Sequence, residues 1–188
     1  MLKVVSDYRQ SGISWDHNGK SKISQIFIAR SEYRIDSIQF AYVEQDGSVV
    51  LSERIGKVEG FENLKTITFN YPSEYITSVS GCYETYYHGM RYLSSITFHT
   101  NKGKYGPYMP FNEGGDPDCD YGPFLADPEE YSTQVNEFDY EVGGEFYGFF
   151  GTYWRYGGIE TIGFYMKPLQ VADRSGSSDQ AIVRWSAY

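Results

Sequence analysis

Three stretches of the chain repeat one pattern of apolar and hydroxyl positions. Each runs branched apolar, any residue, Ser or Thr, Ile, any residue, Phe, and they are Ile35–Phe40, Leu93–Phe98 and Ile159–Phe164. Apolar side chains two residues apart lie on the same face of a strand. Each stretch therefore predicts a strand that buries one face.

Each of these strands follows another apolar stretch, so the pattern predicts three hairpins. A recurring unit that cannot bury its apolar face alone needs its copies. We therefore predict an all-β fold in which three hairpins surround a shared axis. The predicted pairs are 23–28 with 34–43, 76–81 with 92–100, and 145–151 with 158–166.

Further strands are predicted around these hairpins. They are Leu2–Val5, a pair made by Val49–Leu51 and Leu64–Phe69, and Val135–Tyr140. The Asp-Gly step at 46–47 predicts the tight turn before the pair, because glycine supplies positive φ. Residues 6–19 are predicted to form a polar loop.

Composition supports one β domain at residues 1–169, followed by a linker or tail at 170–188. Aromatic residues make up 18% of the 188-residue chain, and they favour strands and half-exposed surfaces over helical bundles. The Ser, Gly and Asp content after residue 170 is typical of a linker.

The charge distribution argues against nucleic acid as a partner. The net charge is −9, whereas phosphate binding requires Lys and Arg. Tyr105 to Trp154 holds eleven acids and neither Lys nor Arg. Many of these acids fall in a predicted surface loop at about 109–131.

Within that loop, four carboxylates are spaced like part of a calcium-binding loop. They are Asp116, Asp118, Asp120 and Asp127. A solvated acidic insertion is the favoured interpretation, because the turn glycine is displaced to Gly122, and no metal site is predicted. The alternative role for the charge is to steer a basic protein partner.

Other features exclude further classes of function. The three histidines lie far apart and no G-x-S-x-G or phosphate loop is present, so we predict no enzyme and no cofactor. No stretch is a secretory signal or a membrane span. We therefore expect no membrane partner, and we expect the protein in the cytoplasm or in both the cytoplasm and the nucleus. Cys82 and Cys119 form no CxxC pair and are expected to be reduced thiols.

Several phrases of the sequence resemble the jacalin-related lectins of plants. These are 35–40 (IDSIQF), 71–81 (YPSEYITSVSG), 100–107 (TNKGKYGP) and 148–151 (GFFG), and the resemblance spans about residues 3–168. The family fold is the β-prism I, with three four-stranded Greek-key sheets related by pseudo-threefold symmetry. The resemblance implies this fold here.

The resemblance also implies a sugar site at one vertex of the prism, where backbone N–H groups and an Asp carboxylate hold sugar hydroxyls. Gly12 matches the N-terminal contact glycine, and Gly157 and Gly158 fall where the backbone donors lie. Glu160 replaces the family Asp and Tyr156 replaces a glycine. The extra methylene of Glu160 moves its carboxylate by about 1.5 Å. By the same resemblance, the loop is about two residues longer than the common family form.

A second sugar site is implied more weakly. Asp36 matches the acid used there by some family members, with Gly60 as a backbone neighbour, although Glu32 replaces a required glycine. The alternative is that Asp36 only starts a strand.

Two functions are compatible with these features. The first is a lectin-like module that binds a mannose- or glucose-type saccharide. The alternative is a jacalin-like domain that has lost this site and binds a protein partner in plant defence or stress. A homodimer is compatible with either function.

Overall fold

In the described part of the chain, the residues form thirteen strands and no helix. The structure is a computed structural model that describes residues 1–5, 12–31, 34–57, 63–85, 90–110, 134–154 and 157–168. The strands are β1 (Leu2–Val4), β2 (Ile13–Asp16), β3 (Ile23–Arg30), β4 (Ile35–Val43), β5 (Val49–Leu51), β6 (Ile55–Gly56), β7 (Leu64–Thr68), β8 (Ile76–Thr85), β9 (Arg91–Thr100), β10 (Lys104–Tyr108), β11 (Gln134–Glu141), β12 (Gly144–Tyr153) and β13 (Ile159–Pro168).

The strands form three antiparallel sheets, each built on one of the predicted hairpins. The orders are β5-β4-β3-β7, β10-β9-β8-β11 and β1-β13-β12-β2, and the short β6 also pairs with β4. In the first two sheets a later strand returns to lie beside the first strand of the hairpin, which is the Greek-key arrangement. The all-β fold and its three hairpins are confirmed.

Several details of the prediction were wrong. β5 and β7 do not pair with each other but lie on opposite edges of the β3–β4 hairpin, because the Greek-key return takes β7 to β3. Part of the predicted loop at 6–19 is β2, whose Trp15 is buried. β10 was not predicted, and it is a strand that contains Gly106 and Pro107, which edge strands tolerate.

The repeated pattern supplies the core. Its first, fourth and sixth positions are at most 1% exposed in all three copies. Phe149 of β12 joins the copies, since its ring centroid lies 5.1 Å from that of Phe40 and 5.9 Å from that of Phe98. One side chain thereby contacts the central hairpins of the other two sheets.

A β-bulge interrupts each of the three hairpins at the same place. Ala29 and Arg30 are consecutive but pair with Ser37 and Ile35, so Asp36 is the extra residue. Ser94 is the extra residue in β9 and Glu160 in β13. The bulge lets apolar residues three positions apart face the same core, which strict alternation would forbid.

The expectation that both cysteines are reduced thiols was wrong. Cys82 is disulfide-bonded, and no described cysteine is free. The only other cysteine in the sequence is Cys119, which lies outside the described residues. Spacing along the chain excludes a zinc motif but does not show which segments the fold brings together.

Two further predictions fall largely outside the described residues. The acidic loop is described only at 109–110, so its four aspartates are not, and the tail from 169 onward is not described either. The described residues contain no group of three acidic, His or Cys side chains able to hold a metal ion. Nor does the described chain contain a helix long and apolar enough to cross a membrane.

Candidate carbohydrate site

The predicted vertex is built on the bulge of the β12–β13 hairpin. The bulge residue Glu160 is only 2% exposed, and its Oε2 accepts a hydrogen bond from the backbone N–H of Gly12 at 2.8 Å. The structure therefore brings together Gly12, the predicted N-terminal contact glycine, and Glu160, the predicted acceptor.

Gly12 leaves room for this contact because it has no side chain. A methyl group there would lie 2.5 Å from the carbonyl oxygen of Tyr153 and 2.7 Å from Oε2 of Glu160. Both distances are shorter than van der Waals contact. The N-terminal segment can approach the end of β12 this closely only with glycine at position 12.

Gly157 and Gly158 belong to a turn that closes on Trp154. The N–H of Gly157 donates to the carbonyl of Trp154 at 3.1 Å, and the N–H of Trp154 donates to the carbonyl of Gly158 at 3.1 Å. Both glycines are buried. Gly158 also lies against the carbonyl oxygen of Ile35, where any Cβ would clash, so it has a packing role independent of any ligand.

Two residues that the sequence analysis missed support this turn from behind. The guanidinium of Arg34 lies over the ring of Tyr92, 4.7 Å from its centroid. The Cδ of Arg34 would lie 2.9 Å from a methyl group on Gly158, and the Tyr92 ring would lie 3.1 Å from one on Gly157. Arg34, Tyr92 and Gly158 each directly precede one copy of the repeated pattern, and this equivalence was the available signal.

Trp154 connects the start of this turn to a second hairpin. The indole N–H of Trp154 donates to the carbonyl of Arg91 at 3.3 Å, which ties the turn to the β8–β9 hairpin. Trp154 and Tyr153 are half-buried. Tyr156, a predicted site residue, lies outside the described residues.

The second predicted site has its acid in a different environment. The Asp36 carboxylate lies 3.4 Å from Nε of Arg34 and accepts a hydrogen bond from the Ser31 hydroxyl at 3.1 Å. Its side chain is 14% exposed. Gly60 and Glu32 lie outside the described residues, so the predicted backbone neighbour cannot be placed beside Asp36.

The third equivalent position has no acid. Ser94 donates a hydrogen bond to the carbonyl of Cys82, its neighbour across the hairpin, at 3.1 Å. A hydroxyl that is satisfied inside its own hairpin offers no charged acceptor to a ligand. Of the three equivalent bulges, only those of Glu160 and Asp36 carry the chemistry expected of a sugar site.

The sequence of the chain matches a known protein family. Residues 9–165 match the model of the Jacalin-like lectin domain. The chain belongs to this family. Carbohydrate binding is the function of this family as a whole, and proteins with this fold are in general not enzymes.

Two plant proteins are similar in sequence to this jacalin-like domain over most of its length. Protein RESTRICTED TEV MOVEMENT 1 of Arabidopsis thaliana is 35% identical over 164 residues, which cover 85% of this chain and 80% of that protein. Jacalin-related lectin 24 of the same plant is 34% identical over 82% of this chain and 62% of its own length.

A solved structure confirms the fold. The structure of AcmJRL, a mannose binding jacalin-related lectin from Ananas comosus, superposes with a TM-score of 0.61 at 24% identity and covers 89% of this chain and 98% of that one. Together with the three observed sheets, this match confirms the β-prism prediction.

Proposed function

We propose that this jacalin-like domain binds a mannose- or glucose-type saccharide at the vertex formed by Gly12, Trp154, Gly157, Gly158 and Glu160. The observation that carries the proposal is the 2.8 Å contact between the Gly12 N–H and the Glu160 carboxylate. A backbone donor beside a charged acceptor can hold two neighbouring sugar hydroxyls, since a hydroxyl both donates and accepts.

A bound sugar would have to replace the hydrogen bond between Gly12 and Glu160. One hydroxyl would donate to the Glu160 carboxylate, and a neighbouring one would accept from Gly12. Charge-assisted hydrogen bonds are roughly twice as strong as neutral ones, so the carboxylate is the group on which affinity should depend most. The preference for mannose or glucose rests on the mannose-binding lectin among the similar solved structures.

The test is calorimetric titration with methyl α-mannoside, methyl α-glucoside and methyl α-galactoside. We expect the wild-type chain to bind the first two, and Glu160→Gln to weaken binding roughly tenfold by replacing a charged acceptor with a neutral one of the same size. Asp36→Asn is the matched control, because it makes the same change at an equivalent bulge. Equal losses in both variants would contradict the assignment of the site to Glu160.

A second candidate is a domain whose vertex no longer accepts sugar and which acts through protein contacts. It is favoured by the same hydrogen bond, because Glu160 and Gly12 already satisfy each other and Glu160 is 2% exposed. The longer side chain of Glu is what reaches Gly12, so Asp at this position would withdraw the carboxylate by about 1.5 Å.

The Glu160→Asp variant separates the two candidates. If the wild-type chain binds no glycoside at millimolar concentration but the variant does, the vertex is closed by its own glutamate and the second candidate holds. If neither protein binds any glycoside, sugar recognition at this vertex is rejected. Binding by the wild-type chain supports the first candidate.

A further inference from the structure

β11 is the longest edge strand in the described part of the chain. It spans Gln134–Glu141 and pairs only with β8, whereas the other described edge strands have five residues or fewer. An exposed edge offers unpaired backbone groups to another strand. What β11 presents along this edge determines which partner it fits.

The hydrogen-bond pattern identifies the backbone groups that face away from β8. The N–H of Val142 donates to the carbonyl of Thr77 at 2.7 Å, so these two residues form a bonded pair. Bonded pairs alternate along an antiparallel ladder, and the register continues without a bulge to the start of β11. The outward-facing N–H and C=O groups therefore belong to Glu137, Asp139 and Glu141, together with Val135.

These backbone groups have no partner among the described residues, either in a neighbouring strand or in any other hydrogen bond. Within the described part of the chain, nothing therefore pairs with this edge over the seven residues 135–141. An incoming strand of the same length would complete four bonded pairs with it.

The two faces of β11 differ sharply in chemistry. Glu137, Asp139 and Glu141 are exposed on the outer face of the sheet. Phe138 and Tyr140, on the opposite face, are 6% and 7% exposed and belong to the core. A strand added at this edge would place alternate residues beside three carboxylates and the intervening residues beside two aromatic rings.

The negative charge of β11 determines which kind of strand can be added at its edge. Between Tyr105 and Trp154 the chain has eleven acids and no Lys or Arg. No basic side chain near in sequence therefore offsets the charges of Glu137, Asp139 and Glu141. A second copy of this chain added at the same edge would bring its carboxylates beside these ones, and like charges across a strand pair are unfavourable. A basic strand from another protein avoids this repulsion.

We propose that β11 docks an extended, amphipathic basic segment of a protein partner by adding it as a further strand of the sheet. Lys or Arg at alternate positions of that segment pair with Glu137, Asp139 and Glu141. Its apolar residues lie beside Phe138 and Tyr140, and backbone hydrogen bonds to the four outward-facing residues fix the register. This surface is independent of the sugar vertex, so the proposal does not depend on the proposed function.

The probe is a fluorescently labelled peptide with blocked ends and the sequence Lys-Val-Lys-Val-Lys-Val-Lys, titrated with the full chain by fluorescence anisotropy at low salt. We expect it to bind roughly tenfold more tightly than a peptide of the same composition in which the lysines and valines are separated into blocks, because only the alternating peptide matches both faces. Absence of binding by the alternating peptide overturns the proposal.

Two protein variants separate strand addition from charge attraction. Asp139→Asn removes one charge, and Asp139→Pro removes the charge together with an N–H that faces away from β8, so the native ladder is kept. We expect the proline variant to bind the peptide at least threefold more weakly than the asparagine variant. Equal affinities overturn the proposal, since charge alone would then explain binding. An alternating peptide with N-methylated lysine backbone amides is tested in parallel without changing the protein, because the bonded pairs place the lysine N–H groups against β11, and it should also bind at least threefold more weakly.

Two triple variants test whether the charges that bind the peptide are those on β11. Replacing Glu137, Asp139 and Glu141 together by Gln, Asn and Gln should weaken peptide binding roughly tenfold. Replacing Glu44, Glu53 and Glu145, which lie outside β11, by Gln removes the same net charge and should leave affinity within about twofold after electrostatic screening. Equal losses in the two triple variants would contradict docking on β11.

Discussion

At the scale of single residues, the three equivalent bulges show how one backbone position can carry different chemistry. Asp36, Ser94 and Glu160 occupy the same place in three hairpins, yet their side chains meet Arg34, a strand carbonyl and the Gly12 N–H respectively. The backbone sets where the side chain begins. The neighbouring loops determine what it contacts.

Gly158 offers a test of packing at the vertex. A Cβ there would clash with the carbonyl oxygen of Ile35, and backbone on one side cannot move away without breaking the hairpin. We expect Gly158→Ala to lower the free energy of unfolding by about 3 kcal/mol, within the range of strained core substitutions.

Urea denaturation measures this change, and Gly143→Ala is its matched control. A methyl group at Gly143 meets nothing within 4 Å, so that variant should unfold within about 0.5 kcal/mol of wild type. A Gly158→Ala variant as stable as the Gly143→Ala variant would show that the turn can shift.

The sequence predicted part of this residue-scale picture. Gly12, Gly158 and Glu160 were found through the family resemblance, because their motif is local in sequence. Arg34 and Tyr92 were missed, since they come together only when two hairpins meet across the axis. The hydrogen bond from Gly12 to Glu160 also depends on how far a longer side chain extends within a loop, which no pattern in the sequence specifies.

At the scale of elements, alternation and turn residues predicted the three hairpins to within a few residues, but not the connections between them. β5 and β7 are separated in sequence by only the two-residue β6 and were predicted to pair, while the observed Greek key places them on opposite edges of a sheet. Edge strands such as β2 and β10 are short and contain polar residues, so their periodicity is weak. Long-range pairing therefore required the structure.

A buried glutamate joins two of these elements and gives a pH-dependent prediction. Glu74 is 6% exposed and accepts hydrogen bonds from the Asn70 N–H and from the hydroxyls of Thr100 and Tyr105, at 2.9, 2.8 and 2.9 Å. The Asn70 N–H is the main cause that holds the pKa of Glu74 below its ordinary value of 4.5, and both hydroxyls and the charge of Lys102 act in the same direction, against burial.

The stability that Glu74 provides should be present above its ordinary pKa and lost as the pH falls through the lower pKa of the folded state, because the unfolded chain then binds the proton more readily. Glu74→Gln should lower the free energy of unfolding by about 2 kcal/mol at about pH 7. The difference from wild type should shrink towards about pH 3.5.

Urea titrations at both pH values measure this difference, and Glu145→Gln on the exposed surface is the control. If Glu74→Gln destabilises the protein equally at both pH values, the effect comes from altered packing and not from the charged form of Glu74.

At the scale of the whole molecule, the three sheets share one interior. Phe149 contacts Phe40 and Phe98 from the other two sheets and also Phe146 within its own strand, with ring centroids 4.8 Å apart. Phe149→Ala should lower the free energy of unfolding by about 4 kcal/mol, as expected for a buried phenylalanine. All three sheets should still unfold in one transition, because the large cluster of buried side chains contains residues of every sheet.

Circular dichroism and tryptophan fluorescence can follow this transition together, and Val50→Ala is a suitable control because Val50 is 47% exposed. A split between the two signals in the Phe149→Ala variant would mean that at least one sheet is stable without the other two.

The bulges also have a consequence for how such a protein can change over generations. Each one turns a single residue out of the ladder while its neighbours keep the interior filled, so a substitution at that residue changes what the corner contacts without changing the pairing of the strands. Three such positions around one axis allow a lineage to gain, lose or exchange recognition at one corner without rebuilding the others. The three corners already differ in this way, since they carry an acid, a hydroxyl and a longer acid.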